Sequence, residues 1–333
     1  MSRAPHQHNG RFYNYPGEKK KKVFWRSLNM YISACLWGPD DLRASPDQLP
    51  LGAMGALPLA DEGRVKTTWI GHSTFLLESP HANILTDPVF GDLTLFFKRL
   101  QKPGLQLHEL PKIDLVLISH NHRDHMDKAA LQTIAQLYPE CMFYVPMGDK
   151  AWLNHWGIKN AHEFTWWQSA TLGAASTALS KVEVTFLPAI HWSQRSLFDY
   201  NRSLWGSWMV RLGDTVIYFA GDTAYGEHFT AIQKEFSVID AALMPIGPCE
   251  PRVWMRESHI SAEDAGKAFL ELGARNFVPM HWGTFGFGVD SPQLPLQRLQ
   301  AWWASEVGVT DATLHALKIG GSAPIANKSS TAR

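Results

Sequence analysis

Cysteine is scarce in this chain. Three residues in 333, Cys35, Cys141 and Cys249, lie far apart and are odd in number. They form neither a disulfide framework nor a Cys-x-x-Cys metal knuckle, so a reducing compartment is expected. Net charge is also missing. Lysine plus arginine and aspartate plus glutamate number 31 each, which removes the electrostatic case for nucleic-acid capture and counts against a nuclease. No Ser/Gly linker, short-period repeat or low-complexity tract divides the chain. Residues 1–17 lack the charged-then-apolar order of a signal peptide. What is abundant is core material: hydrophobic residues make up 45% and charged residues only 19%, enough for a large buried interior.

The densest charge run is Lys19, Lys20, Lys21 and Lys22, followed by an aromatic-rich stretch at 23–38 that contains Arg26 and Asn29. A membrane span needs about 20 predominantly apolar residues, so this stretch does not read as one. Two readings stand. It is a solvated run leading into a helix packed on the core, or an amphipathic segment lying on an anionic lipid surface. Residues 1–63 are therefore expected to be an extension and connector packing on the core or a membrane, 64–320 the main domain and 321–333 a disordered tail. The expected location is cytoplasmic, with peripheral membrane contact as the variant reading.

From residue 64 onward the pattern becomes strand-like at 66–70, 73–78 and 82–86, the last stopped by Asp87-Pro88, since proline lacks the amide a central ladder needs. Helical patterns at 128–137, 149–156, 227–236, 261–272 and 295–303 then mix with strands at 141–145, 182–187, 205–212, 215–220, 239–244, 277–280 and 312–316. Strands that cluster first and then mix with helices predict an α/β protein with mixed (α+β) sheets, a sheet pair covered by helices.

The chemistry concentrates at 119–127, which reads Ser-His-Asn-His-Arg-Asp-His-Met-Asp directly after an apolar run. His120 and His122, two apart on extended chain, can point one way, and the adjacent Asp124 and His125 cannot both follow them to the same point. Two metals rather than one are implied. Imidazole and carboxylate without thiolate favour zinc, with manganese or iron as alternatives. Four apolar runs each end in a candidate ligand: 115–119 in His120, 184–190 in His191, 216–221 in Asp222 and 277–280 in His281. Open sheets gather their sites at strand ends, so these points can converge. On ligand chemistry His120, His122 and His191 would hold one metal and Asp124, His125 and His281 the other. Asp222, with two carboxylate oxygens, would bridge them. Metals about 3.5–4 Å apart can share a hydroxide formed near neutral pH, the expected nucleophile.

These residues resemble those of the metallo-β-lactamase fold superfamily, and within it the N-acylphosphatidylethanolamine-hydrolysing phospholipase D family and its bacterial relatives. The resemblance rests on Trp69-Ile-Gly-His-Ser-Thr74, Leu85-Thr-Asp-Pro-Val-Phe90, the histidine cluster, Phe219-Ala-Gly-Asp-Thr-Ala-Tyr225, Glu250-Pro-Arg-Val-Trp-Met-Arg-Glu-Ser-His259 and His281-Trp-Gly-Thr-Phe285. A weaker similarity covers Asn9-Gly-Arg-Phe-Tyr-Asn14. It implies an αβ/βα four-layer sandwich with a dinuclear zinc site at one edge. The implied activity is phosphodiester hydrolysis of the phospholipase D type, in which the hydroxide attacks phosphorus of an N-acylphosphatidylethanolamine-like lipid. Products would be phosphatidic acid and an N-acylethanolamine. Hydrolysis of a carboxylic ester or lactone, and metal binding without turnover, are the alternatives.

The resemblance makes Asp124 and His259 the expected catalytic residues, His259 orienting the phosphate or protonating the leaving oxygen. Ser258 stands where animal members of that family carry glutamine. Asp87 and His72 are candidates for orienting a ligand imidazole, each also readable as a turn residue. Tyr225, Arg252 and Arg256 are candidates for contacting substrate oxygens, against a packed aromatic and surface ion pairs. A phospholipid substrate, an anionic membrane surface and a second copy of the chain in a homodimer are the expected partners; nucleic acid is not.

Overall fold

The computed structural model describes residues 4–14, 64–95, 97–173, 177–307 and 311–327. The lysine run and the stretch at 23–38 lie outside these residues. Among the described residues no helix is long and apolar enough to cross a membrane.

The chain begins with a hairpin of β1 (His6–His8) and β2 (Arg11–Tyr13). A first sheet follows from β3 (Arg64–Gly71), β4 (Thr74–Glu78), β5 (Asn83–Thr86), β6 (Leu115–Leu117), β7 (Met142–Pro146) and β8 (Ala161–Phe164). The second sheet contains β9 (Gln168–Thr171), β10 (Val182–Leu187), β11 (Ser207–Leu212), β12 (Thr215–Phe219), β13 (Ala241–Pro245), β14 (Asn276–Met280) and β15 (Thr313–Leu314), in the order 15-14-13-12-11-10-9. One more strand, β16 (Ser322–Ala326), pairs antiparallel with β3 and closes the edge of the first sheet. This corrects the expectation of a disordered tail from residue 321. Alternation is weak there, and the ladder to β3, some 250 residues earlier in the chain (Thr68 and Ser322 are 254 apart), supplies the order.

Why these runs form a sandwich is visible in β6. Leu115 and Leu117 pack into the core between the sheets, whereas Val116 and Ile118 join the cluster on the opposite face. Side chains alternate across a strand, and a strand covered on both faces must be apolar throughout. That second cluster includes Leu131 and Ile134 of α1 (Lys128–Leu137) and Leu153 of α2 (Lys150–His155). The second sheet is covered by Phe229 and Ile232 of α3 (His228–Glu235), Phe269 and Leu272 of α5 (Ala262–Leu272) and Leu299 of α6 (Leu294–Glu306). Between these lies the short helix α4 (Arg252–Met255). Helix, sheet, sheet, helix is the αβ/βα sandwich. Trp208 ties the layers together, its buried indole N–H donating to the Ile118 carbonyl of the facing sheet at 2.9 Å.

Strand direction then places the chemistry. β3 and β5 are each antiparallel to β4, and β5 is parallel to β6, so β3, β5 and β6 end on one rim. By the same reasoning β10, β12 and β14 end together on the second sheet.

Candidate metal centre

Each of these six strand ends delivers part of one site. His72 follows β3, Asp87 follows β5, the cluster follows β6, and His191, Asp222 and His281 follow β10, β12 and β14. The backbone is forced at several of these points. His72, Asp87 and His281 have φ of 54°, 33° and 62°, a region that costs a side-chain-bearing residue energy and is held only where the surroundings impose it. Gly221, just before Asp222, also has φ +58°, and a Cβ there would lie 2.5 Å from the Ser119 Cβ. Only glycine lets the two rims approach this closely.

The tautomers follow from the hydrogen bonds. His125 donates from Nδ1 to Asp87 Oδ2 at 2.7 Å, His191 from Nδ1 to the Ser258 carbonyl at 2.8 Å and His281 from Nδ1 to the Gly247 carbonyl at 2.9 Å. Ser119 gives its hydroxyl proton to Asp87 at 2.6 Å and so accepts from His120 Nδ1 at 2.9 Å. With each Nδ1 proton committed outward, four Nε2 lone pairs point inward. His120 Nε2 and His191 Nε2 lie 2.8 and 3.3 Å from His122 Nδ1. His281 Nε2 lies 3.0 Å from Asp222 Oδ1, and His125 Nε2 3.4 Å from Asp222 Oδ2 and 3.3 Å from Asp124 Oδ2. Lone pairs facing lone pairs and carboxylates repel one another unless a cation sits among them. His125 Nε2, His281 Nε2 and Asp222 Oδ1 are buried without a hydrogen-bond partner, which a coordinated metal would resolve. The residues present therefore fit a metal site.

Among the described residues four overlapping groups of donors are brought together, and two of them share no residue: His120, His122 and His191 form one, and Asp124, His125 and His281 the other, with His72 added. The remaining two join His120 and His125 to Asp87, and His191 to Asp222 and His259. Asp222 lies between, its Oδ2 3.4 Å from His125 in one group and 3.7 Å from His191 in the other. Burial alone would raise the Asp222 carboxyl, but the charges of His281 and His125 overcome it and hold it well below the usual carboxylate range. Burial likewise opposes charge on His125, yet Asp222 and Asp124 drive its pKa well above the usual value, so that Nε2 carries a proton until a bound cation displaces it. The two carboxylates call for positive charge at this point.

Around these donors the outer contacts are specific. His72 donates from Nε2 to Asp124 Oδ2 at 3.0 Å, and burial, with His281 beside it, pushes its pKa down to about 3, leaving a neutral imidazole. Asp87 accepts from the Ser119 amide as well as from its hydroxyl and His125. Carboxylates that orient a ligand imidazole in this way sustain metal affinity. Asp87→Asn is thus expected to weaken metal binding by about 10–100-fold, measured by competition with a chromophoric chelator. Unaltered affinity would mean that His125 holds its orientation without Asp87.

His259 comes from the loop between α4 and α5 and lies against the centre, 19% exposed, with Nδ1 3.6 Å from Asp222 Oδ2. That nitrogen has no hydrogen-bond partner, and burial lowers the ring's pKa to about 4. Arg252 acts on this loop rather than on an open substrate position: its guanidinium donates to the His259 carbonyl at 2.8 Å and to Asp264 at 2.9 Å. Tyr225 donates its hydroxyl to Glu271, and the residue is 38% exposed. Arg256 is exposed at the end of α4 and is not drawn into the centre.

Sequence reasoning missed several contributors. Arg195 donates to the carbonyls of Asn121 and Met126, at 3.3 and 2.6 Å, strapping the histidine loop. Ser258 and Gly247 act through carbonyls, which leave no trace in residue type. Ser119 stands inside the motif, and its position next to His120 was the available signal. Of the aromatics, Trp192 packs edge-on to His122 and Phe285 against His72, whereas Trp166, Trp205 and Trp208 are core.

A His/Asp centre at the rim of an αβ/βα sandwich defines a metal-dependent hydrolase of the metallo-β-lactamase fold. The chain belongs to the β-lactamase superfamily, residues 82–282 matching the Beta-lactamase superfamily domain. It is similar to N-acyl-phosphatidylethanolamine-hydrolyzing phospholipase D 1 of Caenorhabditis elegans, with 31% identity over 85% of this chain and 82% of the relative. It is also similar to the mitochondrial N-acyl-phosphatidylethanolamine-hydrolyzing phospholipase D of Saccharomyces cerevisiae, with 33% identity over 80% of this chain but only 61% of that relative's length. Among solved structures, Igni18, a metallo hydrolase of Ignicoccus hospitalis, superimposes with a TM-score of 0.60, 22% identity and coverage of 80% of this chain and 100% of the other. At that identity the likeness is one of fold.

Proposed function

We propose that this hydrolase is a phosphodiesterase of the phospholipase D type, with N-acylphosphatidylethanolamine-like lipids as substrates and phosphatidic acid and an N-acylethanolamine as products. The observation that carries the reading is similarity to two phospholipases D of this kind over at least 80% of the chain. The centre supports it, because two donor groups that share Asp222 suit a two-metal phosphodiester site. Zinc suits imidazole and carboxylate donors without thiolate, and manganese or iron would fit the same set.

Bound there, a pair of such ions would ionise water near neutral pH and draw charge from the phosphoryl oxygens. The chain's own residues do the rest. Asp87, Ser119 and the Ser258 and Gly247 carbonyls fix the imidazoles, so no reorganisation is required when charge develops. Asp124 and Asp222 would supply the negative charge that holds such ions. His259, its Nδ1 without a hydrogen-bond partner and its ring kept neutral by burial, would orient the phosphate or hydrogen-bond the departing oxygen.

The test uses purified protein loaded with zinc and three substrates: N-acylphosphatidylethanolamine in mixed micelles, an aryl phosphodiester and an acyl-homoserine lactone. Release of phosphatidic acid and N-acylethanolamine is expected. Cleavage of the lactone alone would overturn the reading in favour of a carboxylic ester hydrolase, and metal binding without turnover of any substrate would favour a binding protein.

A further inference from the structure

The N-terminal hairpin is distant in sequence from every donor in the centre, yet it ends on one of them. Asn14 is buried, 5% exposed, just after β2. Its Nδ2 donates to the His191 carbonyl and its Oδ1 accepts from the His191 amide, both at 3.1 Å and across 177 residues of sequence. The same Oδ1 accepts from the Trp205 indole N–H at 3.0 Å. This is a two-point bond of the kind a neighbouring strand makes. An asparagine side chain carries the donor and acceptor of a peptide group, so it can stand in for a strand where none runs.

His191 needs such a partner. β10 ends at Leu187, four residues earlier, and β11 begins only at Ser207. His191 is fully buried, where backbone N–H and C=O groups must be paired. Its ring is fixed at Nδ1 by the Ser258 carbonyl, but that bond sets only rotation about the side chain. At the backbone, Asn14 pairs both the amide and the carbonyl of His191, while the flanking Ile190 and Ser193 are held by Thr223, Ala224 and Asn201. The hairpin itself is anchored independently: Phe12 is 2% exposed, its amide donates to the Asn201 carbonyl at 2.8 Å, and its carbonyl accepts from Asn201 Nδ2 at 3.1 Å. Arg11 adds a bond to the Tyr200 carbonyl.

We infer that Asn14 is a positioning residue for the metal centre, holding His191 in register with His120 and His122, so that the N-terminal hairpin is part of the site. The inference rests on the metal reading above. It predicts an asymmetric effect, because Asn14 touches a donor of one group and none of the other.

The test is a stepwise zinc titration against a competing chelator, with the d–d spectrum of the cobalt-substituted protein as a second readout, on the full chain. Wild type, Asn14→Ala and Asn14→Asp are compared. The aspartate retains the Oδ1 acceptor and the volume but loses the donor. Wild type should bind two ions. Asn14→Ala should bind one of them about tenfold or more weakly, as when a supporting contact of a metal ligand is removed, and leave the other within about twofold; Asn14→Asp should fall between. The cobalt bands of one site should shift and those of the other stay. Equal affinities in wild type and both variants would overturn the inference, as would a parallel loss at both sites, which would mean general destabilisation. If Asn14→Ala does not fold, the Asn14→Asp titration decides on the same criterion. A wild-type chain that binds no metal would instead defeat the metal reading itself.

Discussion

Asp222→Asn is expected to lower kcat/KM by about 10²–10³-fold or more, the loss typical of removing one preorganised charge-stabilising group, and to reduce metal content below two ions per chain. The size follows from position. Asp222 is buried, its Oδ1 lies 3.0 Å from His281 Nε2, and its Oδ2 lies 3.4 and 3.7 Å from the Nε2 atoms of His125 and His191. It is therefore the carboxylate that reaches both donor groups. An amide has nearly the same shape, but it offers one acceptor and no charge. Its NH2 would face imidazole lone pairs and fill by hydrogen bonding the place a cation would take. Elemental analysis and turnover on one preparation check this, and a variant that keeps two ions and wild-type turnover would remove Asp222 from the bridging role.

His259→Asn should separate binding from chemistry. Turnover should fall by about 10²-fold or more, within the range for loss of a positioned acid or base, while metal content stays at the wild-type value. His259 Nδ1 lies 3.6 Å from Asp222 Oδ2, and the other residues near the metals keep their partners without it. Asparagine preserves polarity and much of the volume, so the loop held by Arg252 should stay in place. The fall should appear in kcat, with KM changed far less, if the imidazole serves the leaving oxygen. Unchanged kcat would assign His259 to packing against the rings of His191 and His281.

Much of this site was legible because its donors obey a strand-end rule. Four apolar runs ending in His120, His191, Asp222 and His281 announce themselves by composition, and the rim formed by parallel strand ends turns that list into a place. Asp87 was legible as a candidate for the same reason, closing a strand, and His72 by its place in a tight Gly-His-Ser turn. Tyr225, Arg252 and Arg256 were not resolved by the same reasoning. Residue type allows each to contact substrate, and only the neighbours Glu271 and Asp264 show where the Tyr225 hydroxyl and the Arg252 guanidinium are committed. The tail was misread because β16 has no local signal strong enough to announce it. Its order comes from pairing with β3 at the far end of the domain.

By itself, the sequence determined the sandwich of mixed sheets, the position of the histidine cluster at the end of β6 and the donor types that select a hydrolytic metal, since periodicity and residue chemistry are local properties. Tertiary structure alone decided which nitrogen each histidine presents and which distant groups hold it there. Those outcomes depend on backbone carbonyls and on contacts such as Asn14 to His191, which span 177 residues. A carbonyl is the same in every residue, so its role becomes visible only once folding has placed it.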